Sequence, residues 1–295
     1  MKSGFVGLIG RPNVGKSTLL NALLNRKVAI TSHVSGTTRN IIQGIYNDDD
    51  SQIVFVDLPG IHKPQNKLGT YMNRKAYTMM EDVDIILFML DVTSKFGKGD
   101  SFILEKIKEL QKPTFLILNK IDLIDRTKLF KIITEYKDLY HFNEIFPLSA
   151  LKFDNTTDLI STIKDYLTDD VKYYSDEDFT NVSRDFMISE IVREKILRLT
   201  KEEIPHTVTC IVEEYEELEN IINISVLIII DRDNIKKIII GKGGTMLKKI
   251  GTYARGDIEE LLGKKVFLET HVKTIEDWRD KEKYLTELGL NELEQ

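Results

Sequence analysis

A helix-covered α/β sheet domain followed by a smaller α+β domain is the fold this sequence predicts, and three observations predict it. Over roughly the first 165 residues, short and nearly continuous apolar runs alternate with helix-like stretches, the pattern of a parallel sheet buried on both faces. The first of these runs feeds a glycine-rich loop, Gly10-Arg11-Pro12-Asn13-Val14-Gly15-Lys16-Ser17, that opens directly into a helix. From Thr168 to Thr180 the apolar period stops in an acidic stretch, and helix and strand signals then return in a different order, α-β-β-α-α-β.

Phe5-Val6-Gly7-Leu8-Ile9 reads as a short buried strand and Thr18 to Leu24 as the helix after the loop. The loop matches G-x-x-x-x-G-K-[ST] without departure, and the chemistry explains the spelling. Gly10 and Gly15 let backbone N–H groups of the loop, Asn13, Val14 and Thr18 included, turn inward on phosphates. Lys16 offsets β/γ charge, Ser17 supplies a hydroxyl for Mg2+, and the helix dipole faces the anion. Ile53-Val54-Phe55-Val56, Ile85 to Leu90, Thr114 to Leu118 and Ile145 to Leu148 are the further strands. Asp57, Asp91, Asn119 and Ser149 follow their C-terminal ends, the edge where open α/β sheets bind ligands.

The acidic stretch 169–180 is expected to be a linker between a first domain, residues 1–168, and a second, residues 181–295. In the second, an amphipathic helix from about Arg184 to Leu199 precedes strands near Val208 to Glu213 and Ile221 to Ile230. Ile235, Ile238 and Ile239 have helical spacing before Gly241-Lys242-Gly243-Gly244. Leu247, Ile250, Ala254, Ile258 and Leu261 have it after, and Val266 to Val272 suggest a last strand.

Composition narrows the function classes. The chain has 295 residues, 42% hydrophobic and 30% charged, the profile of a soluble globular protein of about two domains. The longest apolar stretch, Ile221 to Ile230, is of strand length and too short for a bilayer. Lys2 leads at once into a strand, so no signal peptide is expected, and a single Cys210 excludes an intrachain disulfide and fits a reducing cytosol. Five scattered histidines give structural zinc no support. A net charge of −6 argues against a generic polyanion binder, yet residues 236–265 carry eight basic and three acidic side chains. Any nucleic-acid contact is therefore expected to be a focused patch.

Asp57-Leu58-Pro59-Gly60 follows a buried strand and offers a carboxylate to the Mg2+ shell and a Gly60 N–H within reach of a γ-phosphate. Asn119-Lys120-Ile121-Asp122 is more telling: the Asp122 carboxylate can accept from both N1–H and the 2-amino group of guanine, and adenine offers neither. Asn119 would brace the loop, the Lys120 stem would lie along the base, and Ser149-Ala150 would add a backbone N–H towards guanine O6. Together these elements resemble the translation-factor-like small GTPases over about residues 3 to 167. That class places a Mg2+-ligating threonine between the first helix and the second strand, here Thr38, with Thr37 as the open alternative. Where Ras-like enzymes carry a water-orienting glutamine after D-x-x-G, this chain has apolar Ile61. In that respect it resembles bacterial GTPases in which an asparagine at the position of Asn13 helps bind K+ in place of an arginine finger, which implies slow basal hydrolysis of GTP to GDP, stimulated by K+. The implied catalytic set is Lys16, Thr38, Asn13 and Gly60.

Gly241-Lys242-Gly243-Gly244 matches the G-x-x-G loop of KH domains, which clamps single-stranded RNA by its backbone. With 17 glycines in 295 residues about one such spacing arises by chance, so the flanking helices, the local positive charge and a type II KH strand order carry the reading. Lys237, Lys242, Lys248, Lys249 and Arg255 add charge around the glycines. A phosphate-loop domain followed by this KH segment and the tail Val272-Lys273…Trp278-Arg279 resembles the Era family of bacterial GTPases along nearly the whole chain. The resemblance implies a mostly parallel sheet with helices on both faces, then a small type II KH domain that binds the 3′ end of small-subunit ribosomal RNA during assembly of the small ribosomal subunit. It further implies a cytoplasmic monomer, with peripheral association at the inner membrane left open. Two other classes stay in view: a GTP switch that acts through protein or membrane partners without RNA, and a phosphate-loop kinase.

Overall fold

A computed structural model describes residues 1–201 and 204–290; Glu202, Glu203 and the last five residues of the expected second domain lie outside the described residues. Two compact units result. The first is built on six strands: β1 (Lys2–Ile9), β2 (Ile42–Asn47), β3 (Ser51–Asp57), β4 (Ile85–Asp91), β5 (Thr114–Asn119) and β6 (Glu144–Leu148). Their order across the sheet is β2-β3-β1-β4-β5-β6, with β2 antiparallel to β3 and all other pairs parallel.

Five helices cover this sheet: α1 (Lys16–Leu24), α2 (Lys67–Asp82), α3 (Lys98–Leu110), α4 (Arg126–Tyr136) and α5 (Thr156–Tyr166). Ala76 and Met80 of α2, Ile103, Leu104 and Ile107 of α3, and Ile132 and Tyr136 of α4 share one core with Val54, Val56, Ile86, Phe88, Leu90, Leu116 and Leu118. The alternate strand residues Ile53, Phe55, Ile85, Leu87, Phe115 and Ile117 are also fully buried, which is why these runs read as continuous rather than alternating apolar sequence. β1 lies between β3 and β4, so the chain leaves it at the switch point where neighbouring connections run in opposite directions and a crevice opens. Pairing of Leu8 with Asp57, Asp91 with Asn119, and Asn119 with Leu148 brings the C-terminal ends of these strands to one edge.

Strand β2 is an element the sequence pattern did not announce. Gly44 interrupts its apolar period because α1 packs so closely that a Cβ there would lie 2.4 Å from Leu24 Cδ1. The expected linker is likewise corrected. Residues 169–180 belong to the first unit, which extends to Asn181. Ser3 N donates to the Asp169 carbonyl at 2.9 Å, Ile45 N to the Phe179 carbonyl at 3.0 Å, and Thr180 pairs with Gly44 as an antiparallel bridge. The Gln52 side chain accepts from Tyr173 N and Tyr174 N at 2.8 and 3.0 Å, and Arg26 stacks 3.9 Å over the Phe179 ring. Acidic composition suggested solvent, but here backbone groups and two tyrosines make the attachments.

The second unit comprises residues 30–34, 65–68 and the chain from Val182 onward. It contains α6 (Arg184–Leu199), α7 (Ile204–Thr207), β7 (Thr209–Glu217), β8 (Ile222–Ile230), α8 (Asp233–Ile240), α9 (Thr245–Leu262), β9 (Val266–Thr274) and α10 (Glu282–Glu287). The sheet order is β7-β8-β9, antiparallel then parallel. Ile188, Val192 and Ile196 of α6, Ile235 and Ile239 of α8, and Ile250, Ala254 and Ile258 of α9 bury the sheet residues Ile224, Val226 and Ile228. The spacings are those of single helix faces. Trp278 is fully buried, its Nε1–H donating to the Thr207 carbonyl at 2.8 Å, and Arg279 pairs with buried Asp231 at 2.7 Å.

Candidate functional site

Gly10–Gly15 leave β1 as an irregular loop and Lys16 begins α1. Gly15 has φ 102°, and a Cβ there would fall 2.2 Å from the Asn119 amide nitrogen, so both conformation and space demand glycine. Lys16 Nζ donates back to the carbonyls of Gly10 at 3.2 Å and Arg11 at 3.0 Å. Asn13 is also left-handed, with φ 66°. Gly60 closes on the loop from the other side, since a Cβ would lie 2.7 Å from Pro12 N.

Three oxygen-bearing side chains meet beside Lys16. Ser17 Oγ donates to Asp57 Oδ2 at 2.5 Å, Ser17 Oγ lies 2.9 Å from Thr38 Oγ1, and Thr38 Oγ1 lies 3.4 Å from the same carboxylate oxygen. The structure thus brings Thr38 to Ser17 and Asp57. Asp57 is wholly buried, and its Oδ1 has no hydrogen-bond partner among the described residues. Burial pushes the Lys16 ammonium down to about 8, with Asp57 opposing, and pushes the Asp57 carboxyl up to about 6 against Lys16, Ser17 and Thr38. Both groups are desolvated ions, each suited to a ligand of opposite charge.

Asn119 is 2% exposed and joins three segments. Its Nδ2 donates to the Val14 carbonyl at 2.8 Å, while its Oδ1 accepts from Lys120 N at 2.8 Å and Ala150 N at 3.0 Å. Lys120, left-handed at φ 71°, sends Nζ to the Asn13 carbonyl at 2.8 Å and to Asp91 Oδ2 at 2.6 Å. Asp122 is exposed at the start of a 3-10 turn and accepts from Ser149 Oγ at 2.6 Å. Loops 10–18, 57–60, 119–122 and 149–150 therefore converge, with Thr18 in the first turn of α1. Ile61 is 3% exposed and packed in the core with Leu58 and Ala76; it faces away from solvent as part of the fold. Sequence reasoning named Asp91 only by position and missed Asp100, whose carboxylate holds Arg11; their partners are remote in the chain.

In the second unit Gly241, Gly243 and Gly244 have φ 74°, 61° and 79° in a short turn between α8 and α9. Added side chains at Gly243 and Gly244 would meet nothing within 4 Å among the described residues, so this backbone is open to approach. Lys237 on α8, Lys242 in the turn, and Lys248, Lys249 and Arg255 on α9 are all exposed. Lys264 and Lys265 instead pair with Glu217 and Glu259, which concentrates the positive patch around the turn.

Comparison with known proteins follows the same division. A family model described as a 50S ribosome-binding GTPase matches residues 5–120, and one described as a KH domain matches residues 203–279. A variant of Era from Aquifex aeolicus, solved with GDP and AlF4−, is 40% identical with a TM-score of 0.95, the match covering 98% of this chain and 99% of that one. This chain belongs to the Era family of GTPases. It has the phosphate-loop GTPase fold of that family, with a mostly parallel sheet, followed by a KH domain. A second solved Era, in complex with MgGDPNP and nucleotides 1506–1542 of 16S ribosomal RNA, matches at the same identity, TM-score and coverage.

Proposed function

We propose that this Era-family GTPase binds the 3′ end of small-subunit ribosomal RNA through its Gly241–Gly244 turn and acts in assembly of the small ribosomal subunit. The observation that carries this reading is the turn itself: three glycines at positive φ with open space at two of them, and five exposed cations, Lys242 in the turn and the other four on the flanking helices. Backbone exposed in this way can approach phosphates, and the cations supply sequence-independent attraction. The Era relative with bound 16S RNA matches along nearly the whole chain and supports the small subunit as the partner, whereas the family model whose description names the 50S ribosome matches only residues 5–120.

In the GTPase unit, the main-chain N–H groups of Gly10–Thr18 and the Lys16 ammonium hold the phosphates, Gly60 senses the γ-phosphate, and Asp122 reads guanine. Asn119 and Lys120 brace those loops, and Ser149-Ala150 completes the base site. Ser17, Thr38 and Asp57 suit Mg2+, because three hard oxygen donors already lie within 3.4 Å of one another and Asp57 Oδ1 is a buried oxygen without a hydrogen-bond partner among the described residues. Bound there, the ion would supply charge neutralisation at the β/γ-phosphates. Ile61 is occupied by core packing, so no side chain directly after Gly60 can orient water. Asn13, held at the tip of the loop, is the residue we assign to a K+ that would raise a slow basal rate.

Retention of the intact protein on a synthetic single-stranded RNA of the small-subunit 3′ end, compared with Gly243→Asp, tests the RNA reading. Aspartate fits the open space and tolerates a positive φ, so the fold should survive while phosphates are repelled. Equal retention would instead favour a switch that works through protein or membrane partners. Single-turnover hydrolysis with Na+ in place of K+ tests Asn13: the rate should fall, and an unchanged rate removes K+ from the account.

A further inference from the structure

The tip of the phosphate loop is held in part by side chains to which the GTPase motifs assign no role. Arg11 reaches out of the loop, and its Nε donates to Asp100 Oδ1 at 2.6 Å, while its Nη2 donates to Ser94 Oγ at 3.2 Å. Asp100 sits in the first turn of α3 and is 0% exposed, so its charge is not there for solubility. Its two oxygens divide the work. Oδ2 accepts from Gly97 N at 2.9 Å and caps the helix, which leaves Oδ1 for Arg11. The arginine stem lies across the same turn, so close that a Cβ on Gly99 would fall 2.9 Å from Arg11 Cδ.

Two residues further along the loop a second tether returns to the same connection. Lys120 Nζ bridges the Asn13 carbonyl and Asp91 Oδ2, and Ser94 Oγ donates to the Asp91 carbonyl at 3.1 Å. Arg11, Ser94, Asp91, Lys120 and Asn13 thus form a closed circuit. The stretch from the end of β4 to the first turn of α3, residues 91–100, grips the loop on both sides of Pro12, directly at Arg11 and through Lys120 at Asn13.

We infer that Arg11 and Asp100, with Ser94, are positioning residues for GTP hydrolysis: they fix the Arg11–Asn13 segment and so set where the loop tip lies relative to the reacting phosphate. The geometry gives the reason. Lys16 and Ser17, which serve nucleotide binding, are anchored by α1 and by their own contacts to Gly10, Arg11 and Asp57, whereas the left-handed Asn13 lies in a part of the loop with no regular structure of its own. Slack in the tip should therefore cost turnover more than affinity, since small misplacements are felt most in the transition state. The inference rests on the GTPase reading but not on K+, because it concerns the placement of the segment, whatever Asn13 contacts.

The test is steady-state and single-turnover GTP hydrolysis by the full chain carrying Arg11→Gln, Arg11→Lys or Asp100→Asn, with GDP affinity and Tm measured alongside. Arg11→Gln and Asp100→Asn should lower kcat about tenfold with KM and GDP affinity within about threefold, and Arg11→Lys, which keeps the charge, should recover much of the loss. Ser94→Ala, at an exposed site where folding is not at stake, should lower kcat by about two- to threefold. Unchanged kcat in Arg11→Gln or in Ser94→Ala overturns the inference. A parallel loss of kcat, GDP affinity and Tm overturns it too, because that is the signature of a merely structural pair. Failure of all hydrolysis in the unmodified protein would instead sink the GTPase reading, a result distinct from either.

Discussion

Asn119 donates its side-chain N–H to the carbonyl of Val14 at 2.8 Å, across 105 residues of sequence. With its oxygen shared between Lys120 N and Ala150 N, this one buried side chain fastens the phosphate loop to the two loops proposed to read the base. The phosphate and base halves of the site are therefore one mechanical unit.

Asn119→Ala removes all three bonds and leaves the Val14 carbonyl and the Ala150 N–H buried without a partner. Net hydrogen bonds are worth about 1 kcal/mol each and orphaned groups more, so a loss of about 2–4 kcal/mol is expected. Titration with a fluorescent GDP should show affinity weakened by at least about tenfold, and urea denaturation should show the first unit destabilised.

How much of this was legible beforehand differs by kind of feature. The phosphate loop, the buried strands and the amphipathic helices were legible because their signals are local: a fixed spelling, a period of two faces buried, a period of 3.6. That Asn119 braces the loop was legible from its motif, but its carbonyl partner was not, since nothing in the sequence pairs residue 119 with residue 14. Strand β2 was hidden by Gly44, whose absent side chain answers a tertiary demand of α1. The stretch 169–180 looked like a linker because its composition is acidic, while its attachments run through backbone groups that composition does not record. Asp100 was invisible for a related reason: a charged residue in a first helical turn is ordinarily a solvated cap, and only the fold reveals Arg11 on its other oxygen.

Trp278 gives a second prediction. It lies beyond the last strand, in a tail that the sequence left without a structural role, yet it is fully buried and hydrogen-bonded to Thr207. Trp278→Ala should destabilise the second unit by about 3–5 kcal/mol, the usual cost of emptying a large aromatic site. Urea denaturation followed through that unit should show the shift, with GTP hydrolysis by the first unit retained.

A third concerns pH. Burial disfavours the charged form of Asp48, but hydrogen bonds from Lys164 and Ser51 prevail and hold its carboxyl well below the usual carboxylate range. A group depressed on folding contributes stability above its unfolded value, near 4, and loses that contribution as pH falls towards its folded value. Asp48→Asn should therefore lower Tm at pH 7, and the difference from the unmodified protein should shrink as the pH is taken below about 4.

We propose that Asn119 to Asp122, tied to the phosphate loop, make this a guanine-specific site with Asp122 as the reader. The most direct measurement is the ratio of affinities for GDP and xanthosine diphosphate in the unmodified protein and in Asp122→Asn. A strong preference for GDP that inverts in the variant is expected, because an amide donates where the carboxylate accepted and xanthine carries an oxygen where guanine carries its amino group. Retention of the GDP preference by Asp122→Asn would contradict it.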